Sequence, residues 1–233
     1  MITLCSDFSD FYICDAAFMH ILCLKSAFFG SALEEDIWVQ REDGEICSVI
    51  ARHGGRLYIA SCGGDAEELA KFIKTIGFDE VFTEKSTADS LGLASVCEFN
   101  VLFKNAEGST APRDDIPSLK AIYDGLLLGS DSDISLPPFE DFAPDLSHRL
   151  RHGSALAISD EFGAALAFRS PEGGIINGIA VEKARRFKGF GSRLLQDLLK
   201  GLNGDVLVCA SEKNEHFYIK NGFILLGQAV IAR

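Results

Sequence analysis

Arg186-Phe187-Lys188-Gly189-Phe190-Gly191 places two cations and two glycines directly before Ser192-Arg193-Leu194-Leu195-Gln196-Asp197-Leu198-Leu199-Lys200. Leu194, Leu195, Leu198, Leu199 and Leu202 recur at helical spacing, with Arg193, Gln196, Asp197 and Lys200 on the opposite face, so the glycines stand at a helix N-terminus. Bare backbone there lets consecutive N–H groups converge on one anion, and the unpaired amides and the helix dipole favour phosphate. Two familiar phosphate turns are excluded by spacing. A dinucleotide fingerprint needs a third glycine where Leu194 stands, and a nucleoside-triphosphate loop needs Gly-Lys-Ser/Thr. A plain strand-to-helix turn carrying a surface basic cluster uses the same residues, so the flanking elements decide.

Before the turn, Ile175, Ile176, Ile179, Ala180 and Val181 make an apolar run of strand length that stops at Glu182 and the basic Lys183, Arg185 and Arg186. After the helix, Val206 to Cys209 is a second short buried strand, leading to Asn214 and then Tyr218-Ile219-Lys220-Asn221-Gly222-Phe223. In this order the elements resemble the acyl-CoA half of the GNAT superfamily of N-acetyltransferases. The resemblance implies acetyl-CoA as co-substrate. Backbone groups of Ile179, Ala180 and Val181 would pair with its pantetheine arm and offer an N–H to the thioester oxygen. Arg186, Phe187, Lys188, Gly189, Phe190, Gly191 and Ser192 would cradle the pyrophosphate. Asn214 would bond the pantetheine or position the last helix, and Tyr218 would protonate the departing thiolate. Many members carry a glutamate base on the first strand, where this chain has Asn177 and Gly178 flanked by Glu172 and Glu182. The base is left open between a water relay and a carboxylate from elsewhere.

The elements that must position these residues start at Val96 to Phe103, a strand, followed by the polar turn Asn105 to Ser109. Asp114 or Asp115 is the expected cap of a helix bearing Ile116, Leu119, Ile122, Tyr123, Leu126 and Leu127, with Pro117 in its first turn. A second helix is expected within Phe139 to Arg151, its start blurred by Pro144, then a hairpin of Ala155 to Ile158 and Ala164 to Phe168. Leu225 to Ala232 is the expected closing strand. Upstream, Ile37 to Gln40, Ile46 to Arg52 and Leu57 to Ser61 read as strands, followed by Cys62-Gly63-Gly64-Asp65, a helix from Ala66 to Ile76, the strand Glu80 to Thr83 and a short helix before Gly92. This repeats the later order without its chemistry: Asp65 repels phosphate, and Ala88 stands where the pattern of Tyr218 and Gly222 would require tyrosine. The expected fold class is α/β (α+β), two tandem GNAT-like mixed-sheet units, with a degenerate domain at 1–95 and a complete acetyltransferase domain at 96–233.

A chain of 233 residues with 47% hydrophobic and 24% charged content is globular, and its net charge of −12 disfavours nonspecific nucleic-acid binding. Seven cysteines show no Cys-x-x-Cys pair and five histidines make no ligand spacing, so reduced core thiols in a cytoplasmic protein and no metal are expected. Ala16 to Phe29 is apolar but broken by His20 and Lys25 and preceded by Asp7, Asp10 and Asp15, which suits an amphipathic helix and neither a secretion signal nor a membrane span. Between the two central helices, Asp131, Asp133, Glu140, Asp141 and Asp145 lie beside Phe139 and Phe142, without lysine or arginine from Gly129 to Asp145. A solvated acidic loop and a wall that steers a cationic acceptor both fit. The functional expectation is transfer of an acetyl group to a primary amine of a small molecule or peptide. The alternative is a non-catalytic acyl-CoA-binding or partner-binding module, and oligomeric state is not legible.

Overall fold

The computed structural model describes residues 1–5, 36–108, 118–129, 136–171 and 173–233. These divide into two compact units, one formed by 1–5, 36–101 and 226–233 and the other by Leu102–Leu225.

In the first unit the apolar alternations become β1 (Ile2–Leu4), β2 (Ile37–Glu42), β3 (Glu45–His53) and β4 (Arg56–Ser61), paired antiparallel in sequence order. Helix α1 (Ala66–Ile76) then carries the chain to β5 (Glu80–Glu84), which lies parallel to β4, and α2 (Lys85–Ser90) follows. Ile50, Leu57, Ile59, Leu69, Ile73, Val81 and Leu91 form the core, and α1 buries the face that carries Leu69 and Ile73, with Phe72 and Ile76 packed beside them. Strand β1 was not anticipated, and the expected helix within residues 16–29 lies outside the described residues.

The long β6 (Ser95–Ala106) begins in the first unit and ends in the second. It runs through Asn105, where a turn was expected, and Asn105 Nδ2 donates to Asp205 Oδ1 at 2.9 Å. In the second unit α3 (Leu119–Leu127) and α4 (Phe139–Arg151) precede the strands β7 (Ala155–Asp160), β8 (Gly163–Ser170) and β9 (Gly173–Val181). A 3-10 turn (Lys183–Arg185) leads to α5 (Phe190–Leu199), β10 (Gly204–Ala210) and α6 (Glu212–Lys220). The strand order here is β6-β10-β9-β8-β7. One face carries α5 and α6 over Leu194, Leu195, Leu198, Val206, Val208 and Phe223, and the other carries α3 and α4 over Ile122, Leu126, Leu146 and Leu166. The cap of α3 is Ser118, whose hydroxyl accepts the Ala121 N–H at 3.1 Å. Asp114 and Asp115 lie outside the described residues. Pro144 sits inside α4, six residues after its N-cap Pro138.

Strand β11 (Ile224–Ala232) lies between β5 and β6 in the sheet order, so it follows β6 as the expected closing strand and has a second partner that was not anticipated. Its residues Ala229 to Ala232 pair antiparallel with Glu84 to Val81 of β5, so its closing part completes the first unit.

Two irregularities in β9 shape the second unit. Pairing with β8 runs from Gly163↔Val181 to Ser170↔Gly173, but Leu166 faces Gly178 while Ala167 faces Ile176. Asn177 is therefore an extra residue, a β-bulge, and it reverses the alternation, which is why Ile176 and Ile179 pack in the same cluster. Pairing with β10 is parallel and confined to Gly173↔Asp205, Gly174↔Val206 and Ile175↔Leu207. Beyond these the strands part, although β9 continues to Val181 and β10 to Ala210.

Gly173 is the pivot of this divergence. A Cβ there would stand 2.0 Å from the Asp205 carbonyl oxygen, a backbone atom that cannot move aside. Gly173→Ala is expected to lower the unfolding free energy in urea by about 1–3 kcal/mol. Gly227→Ala, whose Cβ meets nothing within 4 Å, should stay within about 0.5 kcal/mol of wild type. Equal effects of the two would remove the pivot argument.

Candidate functional site

Strand divergence leaves the outer backbone edge of β9 from Ile176 onward without β10 as partner, next to the turn that enters α5. Ile179, Ala180 and Val181 lie on that edge. The Val181 carbonyl is occupied, since Arg186 Nε donates to it at 3.0 Å. Arg186 Nη2 also donates to the Leu128 carbonyl at 2.9 Å, so this guanidinium stitches the end of β9, the end of α3 and the turn. Lys188 Nζ donates to the Ala184 carbonyl at 3.0 Å. The two cations named in the sequence thus brace the turn while adding their charge to it.

Helix α5 has Gly189 as its N-cap, in the left-handed conformation (φ 86°, ψ −8°), with no side chain capping it. The Arg193 N–H makes the first intrahelical bond, to the Gly189 carbonyl at 3.0 Å. The amides of Phe190, Gly191 and Ser192 precede it and have no partner among the described residues. A Cβ on Gly189 would meet nothing within 4 Å, so the space before these amides is open, and the donor set suits a phosphate. Gly191 has a different task. A Cβ there would lie 3.3 Å from the Phe217 ring, so this glycine lets α6 approach the start of α5.

Asn214 and Tyr218 stand one helical turn apart on α6. The Asn214 N–H donates to the Ser211 carbonyl at 2.9 Å. Tyr218 is buried, with Phe217 and Phe223 edge-on at 5.0 and 5.5 Å between ring centres, in the cluster that holds Val181 and Val208 of the two diverging strands. At the far end of α6, Lys104 Nζ donates to the Asn221 carbonyl at 2.7 Å and Asn221 Nδ2 to the Phe217 carbonyl at 2.7 Å, fixing the helix that carries both residues.

Several supporting residues were not singled out from sequence. Arg185 lies 4.4 Å over the Phe162 ring, Phe162 meets Phe190 edge-on at 4.9 Å, and Arg193 sits 5.0 Å over Phe190 while pairing with Asp160. This ladder fastens the β7–β8 turn to the start of α5. No signal in the sequence links Asp160 to Arg193, whereas the Asn177 bulge had one, a lone glycine after asparagine inside a strand.

The corresponding turn of the first unit is filled. The Asp65 carboxylate accepts from the Glu67 and Glu68 N–H groups at 2.9 and 3.0 Å, taking the amides a phosphate would need. Buried Gln40 donates to the Asp65 carbonyl at 2.8 Å and to Glu68 Oε2 at 3.0 Å, and a Cβ on Gly64 would stand 2.6 Å from Cys47 Sγ and 2.8 Å from Gln40 Oε1. The Gln40 bond and then the Met1 ammonium hold the Glu68 carboxyl below its usual range, and burial, helped by the Glu42 charge, pushes the Cys47 thiol up.

Of the acidic stretch, Asp131 and Asp133 lie outside the described residues. Glu140 and Asp141 occupy the first turn of α4, where they complement its dipole, and Asp145 pairs with the buried Arg149 at 2.8 Å. Phe142 is buried, and Tyr123 meets Phe139 and Phe142 at 5.2 Å each. Among the described residues no group of three or more His, Cys, Asp or Glu side chains is arranged to hold a metal, and no helix is long and apolar enough to cross a membrane.

No family model matches the sequence, and neither does any curated protein. Solved structures do match the fold. A GCN5-related N-acetyltransferase from Kribbella flavida superposes with a TM-score of 0.60 at 12% identity, over 95% of this chain and 96% of that one. A second, from Sphaerobacter thermophilus, gives 0.54 at 16% identity over 85% and 79%. A tandem GNAT protein from the clavulanic acid biosynthesis pathway gives 0.51 at 13% identity over 94% and 87%. The chain therefore has the mixed α/β fold of the GCN5-related N-acetyltransferases, in the tandem arrangement.

Gly189 generates a prediction that does not depend on any ligand. At its left-handed φ, alanine is expected to cost about 1–2 kcal/mol and asparagine clearly less, read from urea unfolding. Identical losses for the two variants would show that the conformation of this residue is not what the turn requires.

Proposed function

We propose that residues 96–233 form an N-acetyltransferase domain that moves the acetyl group of acetyl-CoA to a primary amine, and that 1–95 is a degenerate copy without a donor site. The observation carrying this reading is the pairing of two open features, the unpartnered edge of β9 and the uncapped amides of α5. A pantetheine arm suits the first, as an added strand edge, and a pyrophosphate suits the second. The filled turn at Asp65 supports a single donor site per chain.

In this reading the amine attacks the thioester carbonyl, a C–N bond forms and the C–S bond breaks. A β9 amide among Ile179 to Val181 holds the carbonyl oxygen as it gains charge. The Tyr218 hydroxyl gives its proton to the departing thiolate, and the Asn214 side chain contacts the pantetheine. The strand offers no carboxylate between Gly173 and Val181, so the ammonium proton leaves through a water relay or to a carboxylate from elsewhere.

Tyr218→Phe keeps the buried ring and removes the hydroxyl that carries the proton. Release of free thiol from acetyl-CoA in the presence of an accepted amine should fall by about 10²-fold, with thermal stability and donor affinity unchanged. Full turnover in this variant would leave the tyrosine a packing role. Donor binding with no thiol release across a broad amine panel would favour the non-catalytic acyl-CoA-binding module instead.

The acceptor reading is that acidic Asp131 and Asp133 draw a cationic amine. Asp131→Asn with Asp133→Asn should then weaken the apparent affinity for the amine and flatten its salt dependence. Unchanged values would make the segment a solvated loop.

A further inference from the structure

Phe187 is the one aromatic among the exposed large apolar side chains of the described residues, fully exposed at 105% of its reference area. It is also held at φ 62°, the left-handed region, which glycine or asparagine occupies without the penalty a phenylalanine meets. The residue thus combines an unburied ring with an unfavourable backbone. Its neighbours are committed: Arg186 to the Val181 and Leu128 carbonyls, Lys188 to the Ala184 carbonyl, and Arg185 to Phe162 and Glu182. They fix the turn that presents Phe187, and the ring is left as its free apolar surface.

We infer that Phe187 is the stacking platform for the purine of the acyl donor, so that the site selects thioesters carrying a nucleotide over the same thioester on phosphopantetheine alone. This rests on the donor site proposed above. Phe187 stands two residues before Gly189, and two residues of chain span at most about 7 Å. In coenzyme A the adenosine is joined through its 5′ oxygen to the pyrophosphate. A pyrophosphate on the amides of Phe190 to Ser192 therefore brings the base within reach of this ring, the one exposed Phe, Tyr or Trp side chain among the described residues. Stacking needs only a π face, and in single-stranded nucleic-acid sites it contributes enough binding for a tenfold change or more on removing the ring.

The test measures Kd by calorimetry for acetyl-CoA and for S-acetyl-4′-phosphopantetheine with wild type, Phe187→Gly and Phe187→Trp. The glycine variant relaxes the backbone, so loss of folding does not confuse the result. The expected outcome is about tenfold weaker acetyl-CoA binding in Phe187→Gly, wild-type binding in Phe187→Trp, and one affinity for the phosphopantetheine thioester in all three. In Phe187→Trp, coenzyme A should quench indole emission above the background of the single natural Trp38. An equal loss for both thioesters overturns the inference and gives the ring a role in the turn itself. No loss for either overturns it too, leaving the donor reading intact. A wild-type protein that binds neither thioester removes the donor reading and this inference together.

Discussion

The second unit depends on a parallel pair of strands that begins and then stops. Hydrogen bonding between β9 and β10 holds at Gly173 to Ile175, where glycines permit close backbone approach, and is abandoned where the Asn177 bulge bends β9 away. An edge opened in the middle of a sheet costs free energy unless something satisfies its polar groups. Here the cost is met in part by Arg186, which takes the Val181 carbonyl. The rest of that edge, from Ile176 onward, has no pairing with β10.

The same logic separates the two halves. Both have a parallel pair with only three registered positions, β4 with β5 and β9 with β10, and both follow the first strand of the pair with a glycine turn and a helix. They differ in what meets the helix amides. In the first unit a carboxylate and a buried glutamine close the turn from within, and in the second a glycine with open space before it leaves the amides to the outside. One architecture gives a self-satisfied corner in one case and uncapped helix amides in the other, through the side chains at a few positions.

Helix α1 was legible in the sequence to the residue, and β5, β9 and α5 nearly so, because each carries a strong apolar period bounded by glycine or by charge, whereas α6 (Glu212–Lys220) has no such period and was placed by the resemblance. The glycines at the start of α5 were legible as a phosphate turn, but their division of labour was not. Gly189 answers to backbone conformation and Gly191 to the Phe217 ring, and the second depends on a contact between residues distant in sequence. Arg186 was read as a phosphate ligand from its charge, while its hydrogen bonds to Val181 and Leu128 depend on where two other elements end. The cap of α3 was misplaced because Asp114, Asp115 and Ser118 are all good caps and local sequence does not rank them. The pairing of β11 with β5 was missed for a topological reason: strand pairing across more than a hundred residues leaves no local trace.

That last strand has a consequence for the order in which the chain acquires structure. Residues 226–233 belong to the first unit, where Ala229, Val230 and Ala232 are fully buried and paired with β5. During synthesis the first hundred residues emerge well before them, at a pace of about 5–20 residues per second. Until residues 226–233 have been made, β5 waits with an open edge of the kind that invites wrong partners. The half that comes off the ribosome first is therefore the half that is finished last, and a nascent chain halted anywhere before Leu226 holds an incomplete first unit however well the rest has folded.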